Sequence, residues 1–189
     1  MTKLIKSNSH NVVSQACDVL YKGGIIVYPT DTLYGLGCDS KNEATIRKIN
    51  KLKGRSGPIS VIAPNKLTAI SWMSLERDQK KNVRAKLDNG NTVIAPAKKN
   101  ICSNLIMGEG KTLGIRIPEH NFCKELSSLF PNPITSTSVN RSGQSPHSTS
   151  ADILSDFKDE IDLIVDDGII NGSGSKIFLL KNNVWEQLR

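Results

Sequence analysis

Apolar residues Val12, Val13, Ala16, Val19 and Leu20 recur at helical spacing. They predict a helix with Asn8 or Ser9 as N-cap and Gly23-Gly24 as its stop. The unbroken apolar run Ile25–Tyr28 then predicts a buried strand, and "GLGCD" after it a second, shorter one. Asn42 is placed to cap a helix carrying Ile46, Ile49 and Leu52 and ending at Gly54. Further strands are expected over 59–63, 92–96, 112–118, 133–137 and 161–165. Helices are expected at about 65–72, 76–88 and 151–157, and through Phe122, Leu126 and Leu129. A closing hairpin is expected from "KIFLL" and "VWEQL" about Asn182-Asn183. Strands and helices mix throughout, and the end is strand-rich. That pattern predicts an α/β fold with a mixed, twisted sheet.

The chain has 189 residues, which suits one domain with its own core. No apolar run approaches the roughly 20 residues of a membrane span. The opening "MTKLIKSNSHN" has no apolar signal core, so no export and a cytoplasmic location are expected. Cys17, Cys38, Cys102 and Cys123 form no CxxC pair and have no histidines clustered near them. Reduced thiols are therefore expected rather than a zinc site. The net charge of +7 is unevenly spread. Residues 1–149 carry 21 Lys and Arg against 10 Asp and Glu, and residues 150–189 carry 4 against 8. A basic body suits a polyanion, either a nucleoside triphosphate or RNA. Only 5% of residues are aromatic, which disfavours a stacking platform for single-stranded RNA.

Several short motifs fail on spacing. "GEGKT" 108–112 ends like a phosphate-binding P-loop, but Leu105 stands where that pattern needs glycine, and a strand is expected after it rather than a helix. Ser155 and Lys158 match SxxK, yet the order of motifs that belongs with a serine acyl-enzyme is reversed. Four other segments look like parts of one site. "PTDTLYGLG" 29–37 follows a buried strand, where ligands of open α/β sheets sit. Lys53-Gly54-Arg55 places two cations on a helix end, suited to separate phosphate oxygens. "STSVNRSG" 136–143 offers small hydroxyls, an amide and glycine beside an anion. In "TLGIRIP", alternation sets Thr112, Gly114 and Arg116 on one face, opposite Leu113, Ile115 and Ile117.

In this order, these segments resemble the YrdC-like family, the threonylcarbamoyl-AMP synthases of tRNA modification. The matching residues are PTDTLYGLG, Lys53-Gly-Arg55, Pro58-Ile59, "GNT" 90–92, Thr112…Arg116-Ile-Pro118, Pro133…Ser138-Val-Asn140-Arg-Ser-Gly143, Gly174-Ser175 and Leu188-Arg189. The resemblance covers nearly the whole chain. It implies a YrdC-like α/β domain over residues 1–189, with a twisted open mixed sheet flanked by helices. The chain departs from the family in a shorter loop between Lys53-Gly-Arg55 and Pro58, in lacking the usual glycine after Arg189, and at several single positions. Ile62 matches a histidine that contacts threonine in many members. Val139 and Arg141 replace the usual alanine and leucine around the asparagine. Lys176 replaces a threonine.

The implied reaction joins L-threonine, bicarbonate and ATP into threonylcarbamoyl-AMP and pyrophosphate. Mg²⁺ is expected to travel with the nucleotide, with no protein metal site. By resemblance, Lys53 and Arg55 are the catalytic cations. Lys53, Arg55, Thr112, Ser138, Asn140, Ser145 and Arg189 face ATP, and Thr32, Arg116, Ser136 and Ser175 face threonine. Arg116 is expected to grip the threonine carboxylate, and the glycines of PTDTLYGLG to turn the chain beneath the nucleotide. The implied partners are a downstream threonylcarbamoyl transferase and, left open, tRNA itself. The alternatives are an RNA-binding module of the same fold and a paralogue serving another carbamoyl transfer.

Overall fold

The computed structural model describes residues 1–181 and 183–189. Among the described residues, ten strands form one continuous sheet in the order β1-β8-β2-β3-β7-β4-β6-β5-β9-β10. They are β1 (Lys3–Lys6), β2 (Ile26–Tyr28), β3 (Gly35–Gly37), β4 (Ser60–Ile62), β5 (Thr92–Pro96), β6 (Thr112–Arg116), β7 (Ile134–Ser138), β8 (Leu163–Asp166), β9 (Ile177–Lys181) and β10 (Val184–Gln187). Pairing is mixed. β8 is parallel to both β1 and β2, and β6 is parallel to β4. β3 and β7 run antiparallel to their neighbours, including each other. Among the described residues, no helix is long and apolar enough to cross a membrane.

Six α-helices among the described residues flank the sheet: α1 (Val12–Tyr21), α2 (Glu43–Lys53), α3 (Lys66–Trp72), α4 (Arg77–Lys86), α5 (Asn121–Leu129) and α6 (Ser150–Asp156). Asn42 caps α2 as expected, its side chain accepting from the Thr45 N–H at 3.1 Å, and the helix ends on a left-handed Gly54. The cap of α1 differs from the expectation. Asn11 holds that position in the left-handed region, with no side-chain cap bond. Strand β1 was not expected either; its Leu4 and Ile5 lie between lysines at the sheet edge. β9 and β10 pair antiparallel as expected. Of the turn between them, Asn182 lies outside the described residues.

Two apolar layers hold the helices on. Ile46, Ile49 and Leu52 of α2, Val83 of α4 and Ile153 of α6 pack on one face with Val27, Val61, Val93 and Ile115. On the other face, Val12, Ala16 and Leu20 of α1 and Phe122 and Leu126 of α5 pack on Ile26, Tyr28, Ile62, Ile134, Leu163 and Val165. Successive strand residues alternate between faces. Ser60 therefore shares a face with Ile62, and Ser136 and Ser138 share one with Ile134. α1 and α5 cover the Ile62 and Ile134 part of that face. They leave the part bearing the serines open.

All four cysteines are free and buried. Burial pushes the Cys17 and Cys102 thiols up to about 11 and that of Cys38 up to about 12. Such thiols are protonated and inert at neutral pH.

Candidate functional site

The open part of the sheet face forms a cleft of about 920 Å³, within the usual range for small-ligand sites. Of the residues expected at the site, Thr32, Arg55, Thr112, Arg116, Ser136, Ser138, Ser175 and Arg189 line it. Thr112, Gly114 and Arg116 all face the cleft, while Leu113 and Ile115 enter the core, as the alternation predicted.

Strand register sets the order along the cleft. Arg116 pairs with Thr92 of β5, whose hydroxyl meets that of Ser175 at 2.8 Å. Thr112 pairs with Pro96, four residues or about 13 Å further along. Ser136 pairs with Ser60, and Val61 with Ile115, so Ser136 is level with Gly114. Ser138 is then two residues closer to the Thr112 end. Arg55, a largely exposed cation, donates to the Thr137 hydroxyl at 3.3 Å beside Ser138. Arg189 was expected with ATP, but it stands beside a residue of the threonine set. Its Nε donates to the Ser175 carbonyl at 2.9 Å.

Lys53, Asn140 and Ser145 do not line the cleft. Lys53 is buried behind the wall, and its ammonium donates to the Ser138 carbonyl at 2.7 Å and to Asn140 Oδ1 at 2.6 Å. Burial, and secondarily the charge of Arg55, pull its pKa down to about 8. The same Asn140 oxygen accepts from the Ser138 hydroxyl at 2.7 Å. Its Nδ2 donates to the carbonyls of Arg141 and Gln144 at 2.9 and 2.8 Å. Both ends of the amide are thus engaged within the loop. Ser145 is exposed, and its neighbour Pro146 reaches the cleft instead. Ile62, which the family resemblance matched to a histidine, is fully buried in the layer under α5.

PTDTLYGLG lines the cleft with Thr32 as expected, but its glycines serve another purpose. Its turn is organised by Thr30, whose hydroxyl accepts from the Thr32 and Leu33 N–H groups at 3.1 and 3.2 Å and donates to the Leu33 carbonyl at 2.7 Å. Tyr34 anchors the far side, donating to the Gly168 carbonyl at 2.8 Å. The glycines do not turn the chain. Gly35 and Gly37 are strand residues of β3 lying on the ring of Tyr28. A Cβ on Gly37 would stand 2.8 Å from that ring and run into the Thr135 carbonyl. Tyr28 donates to the same carbonyl at 3.0 Å, which fixes its ring beneath β3.

Asp31 and Gly90 fall within segments singled out in the sequence, but neither was given a role of its own. Arg116 Nε donates to the Gly90 carbonyl at 2.7 Å, and its Nη2 pairs with Asp31 Oδ1 at 2.9 Å. The segment Gly108–Gly110, rejected as a P-loop, nevertheless lines the cleft beside Thr112. It forms a 3₁₀ turn and leads into strand β6, which is why no P-loop motif describes it.

A family model named Sua5_yciO_yrdC and described as telomere recombination matches residues 18–189. The chain belongs to the Sua5/YciO/YrdC family. It is 30% identical over 178 residues to the threonylcarbamoyl-AMP synthase of Idiomarina loihiensis, covering 87% of this chain and 95% of that one. Its fold matches that of E. coli YciO with a TM-score of 0.89 at 21% identity, covering 100% and 95% of the two chains. It matches P. abyssi Sua5 complexed with L-threonine with a TM-score of 0.88 at 22% identity. There the chain is covered in full but spans 57% of the P. abyssi protein. The expected α/β fold, a mixed open sheet flanked by helices, is the fold observed.

Proposed function

We propose that this protein forms threonylcarbamoyl-AMP and pyrophosphate from L-threonine, bicarbonate and ATP, for threonylcarbamoyladenosine in tRNA. The observation that carries the reading is the cleft itself. Residues from all eight matching segments line one cleft, with hydroxyls and cations at both ends and one carboxylate side chain, Glu109, in the lining. The family relationship and the named relatives support the same reading.

The threonine nitrogen bonds to the carbon of bicarbonate, and a C–O bond of bicarbonate breaks as water leaves, giving the carbamate. A carbamate oxygen then attacks the α-phosphorus, and the bond to the departing pyrophosphate breaks. Two anions must approach each other, so neutralisation and alignment outweigh proton transfer. Arg55, Thr112 and Ser138 serve the triphosphate end. Thr32, Arg116, Ser136 and Ser175 serve threonine, with Arg189 closing the wall beside Ser175. Lys53 and Asn140 act one layer back by fixing Ser138, and Ser145 extends the same loop. Mg²⁺ carried with the nucleotide would supply further neutralisation of the triphosphate. Glu109 is the one carboxylate side chain in the lining, so such an ion would be held chiefly by the nucleotide it arrives with. The product passes to a threonylcarbamoyl transferase in the cytoplasm.

The test is pyrophosphate release by the pure protein. It should require threonine and bicarbonate together, and serine should serve less well, by about 1 kcal/mol for the missing methyl group. ATP hydrolysis to ADP that is indifferent to threonine would refute the assignment.

A further inference from the structure

Arg116 is held by two partners, and together they decide which edge of its guanidinium remains available. Nε donates to the Gly90 carbonyl and Nη2 pairs with Asp31. Among the described residues, Nη1 donates to no protein acceptor. The pair is well shielded, with the two side chains 8% and 19% exposed. Asp31 itself does not line the cleft, whereas Arg116 does. The seat for Asp31 exists because residue 90 is glycine. A Cβ there would run into Asp31 Oδ2 and stand 3.4 Å from Arg116 Nη2, and the φ of +62° is one that side-chain-bearing residues rarely adopt.

We propose that Asp31 is a positioning residue that, with the Gly90 carbonyl, fixes the Arg116 guanidinium end-on to the cleft and makes that end select a zwitterionic amino acid over a free phosphate. This rests on the reading of the cleft as a threonine site. Two consequences follow from the geometry. The Nε edge of Arg116 is already committed to the protein, so a bound carboxylate meets the outer edge built by Nη1 and Nη2. The carboxylate of Asp31 also cancels the charge of Arg116 locally, while Arg55 near the other end has no such partner among the described residues. A triphosphate or free phosphate is therefore drawn to Arg55. A ligand with one carboxylate and one ammonium meets a balanced field beside Arg116. Asp31 occupies the residue between Thr30, which organises the turn, and Thr32, which lines the cleft, so one short loop sets both the hydroxyl and the arginine.

The experiment compares wild type with Asp31→Asn, which keeps size and shape, and with Gly90→Ala, which displaces Asp31 without altering either charge. Threonine affinity is measured by calorimetry on each folded protein. The threonine and ATP KM values and kcat are measured by pyrophosphate release, with inorganic phosphate as the competing probe. Asp31→Asn should raise the threonine KM about tenfold, leave the ATP KM and kcat within about twofold, and turn phosphate into an inhibitor competitive with threonine. Gly90→Ala should shift threonine affinity in the same direction. An unchanged threonine KM, or a uniform loss of kcat and of both affinities without phosphate competition, overturns the positioning role. If the wild type binds no threonine at all, the reading of the cleft falls, and this inference with it. If the wild type and Asp31→Asn bind it equally, only the inference falls.

Discussion

Lys53→Met separates a buried brace from a direct phosphate contact. The substitution keeps the aliphatic stem and removes the ammonium, so the Ser138 carbonyl and Asn140 Oδ1 lose a donor. Burial holds the Lys53 pKa at about 8 against an ordinary 10.5. That gap corresponds to about 3 kcal/mol favouring the neutral form in the fold. The sign follows from proton counting. Between pH 8 and 10.5 the unfolded chain binds more protons at this site than the folded one, so stability rises with pH across that window. Below pH 8 the cost of the buried charge is present in full. Wild type should therefore gain up to ~3 kcal/mol relative to Lys53→Met between pH 7 and pH 10.5, read from denaturant unfolding of both proteins at each pH. Taking the difference removes the titration of every other lysine and tyrosine. Freed from its brace, the Ser138–Asn140 loop should also bind ATP less well. The loss is bounded by one charge-assisted hydrogen bond, about 1.5–3 kcal/mol, so the ATP KM should rise on the order of tenfold while the threonine KM holds. Parallel pH curves for the two proteins, together with an unchanged ATP KM, would refute both the burial argument and the bracing role.

Gly37→Ala should destabilise the fold by about 1–3 kcal/mol, because its Cβ would press on the Tyr28 ring and the Thr135 carbonyl at once. Thermal unfolding should show a midpoint lower by about 2–4 °C per kcal/mol, and an unchanged midpoint would mean that β3 does not pack as described. Ile62→His should not create a threonine contact, since the position is fully buried under α5. It should cost about 1–3 kcal/mol for an unpartnered imidazole without lowering the threonine KM, and a lower KM would show that the site extends beneath α5.

Legibility in the sequence followed the strength of local signals. Strand β5 was read to its exact bounds because "TVIAP" is a compact apolar run closed by proline and preceded by Gly-Asn. Helix α2 was read from cap to stop because Asn42 and Gly54 bracket a clean apolar spacing. Strand β1 escaped because two apolar residues between lysines carry no periodicity; its existence depends on β8 offering a parallel edge. The glycines of PTDTLYGLG were misread for a related reason. A glycine that permits a turn and one that admits a neighbouring ring look alike in sequence, and only the Tyr28 ring beneath β3 tells them apart.

The site shows the same division between position and role. Alternation along β6 was enough to put Thr112, Gly114 and Arg116 on one face, because a strand's period is fixed by its backbone. It could not say which same-face residues would be site and which core. That is decided by α1 and α5, which cover Ile62 and Ile134 and leave Ser60, Ser136 and Ser138 open. Lys53 and Arg55 sit two residues apart and carry the same charge, yet one is buried against a carbonyl and an amide and the other stands in the cleft wall. A cation pair in sequence states that anions or carbonyls are near, and burial then assigns the partner. Asp31 lay within a motif assigned to the site, yet its role could not be read there, for the converse reason. Its significance comes from Arg116, 85 residues away, and from the empty space at Gly90, neither of which leaves a mark in the sequence around it.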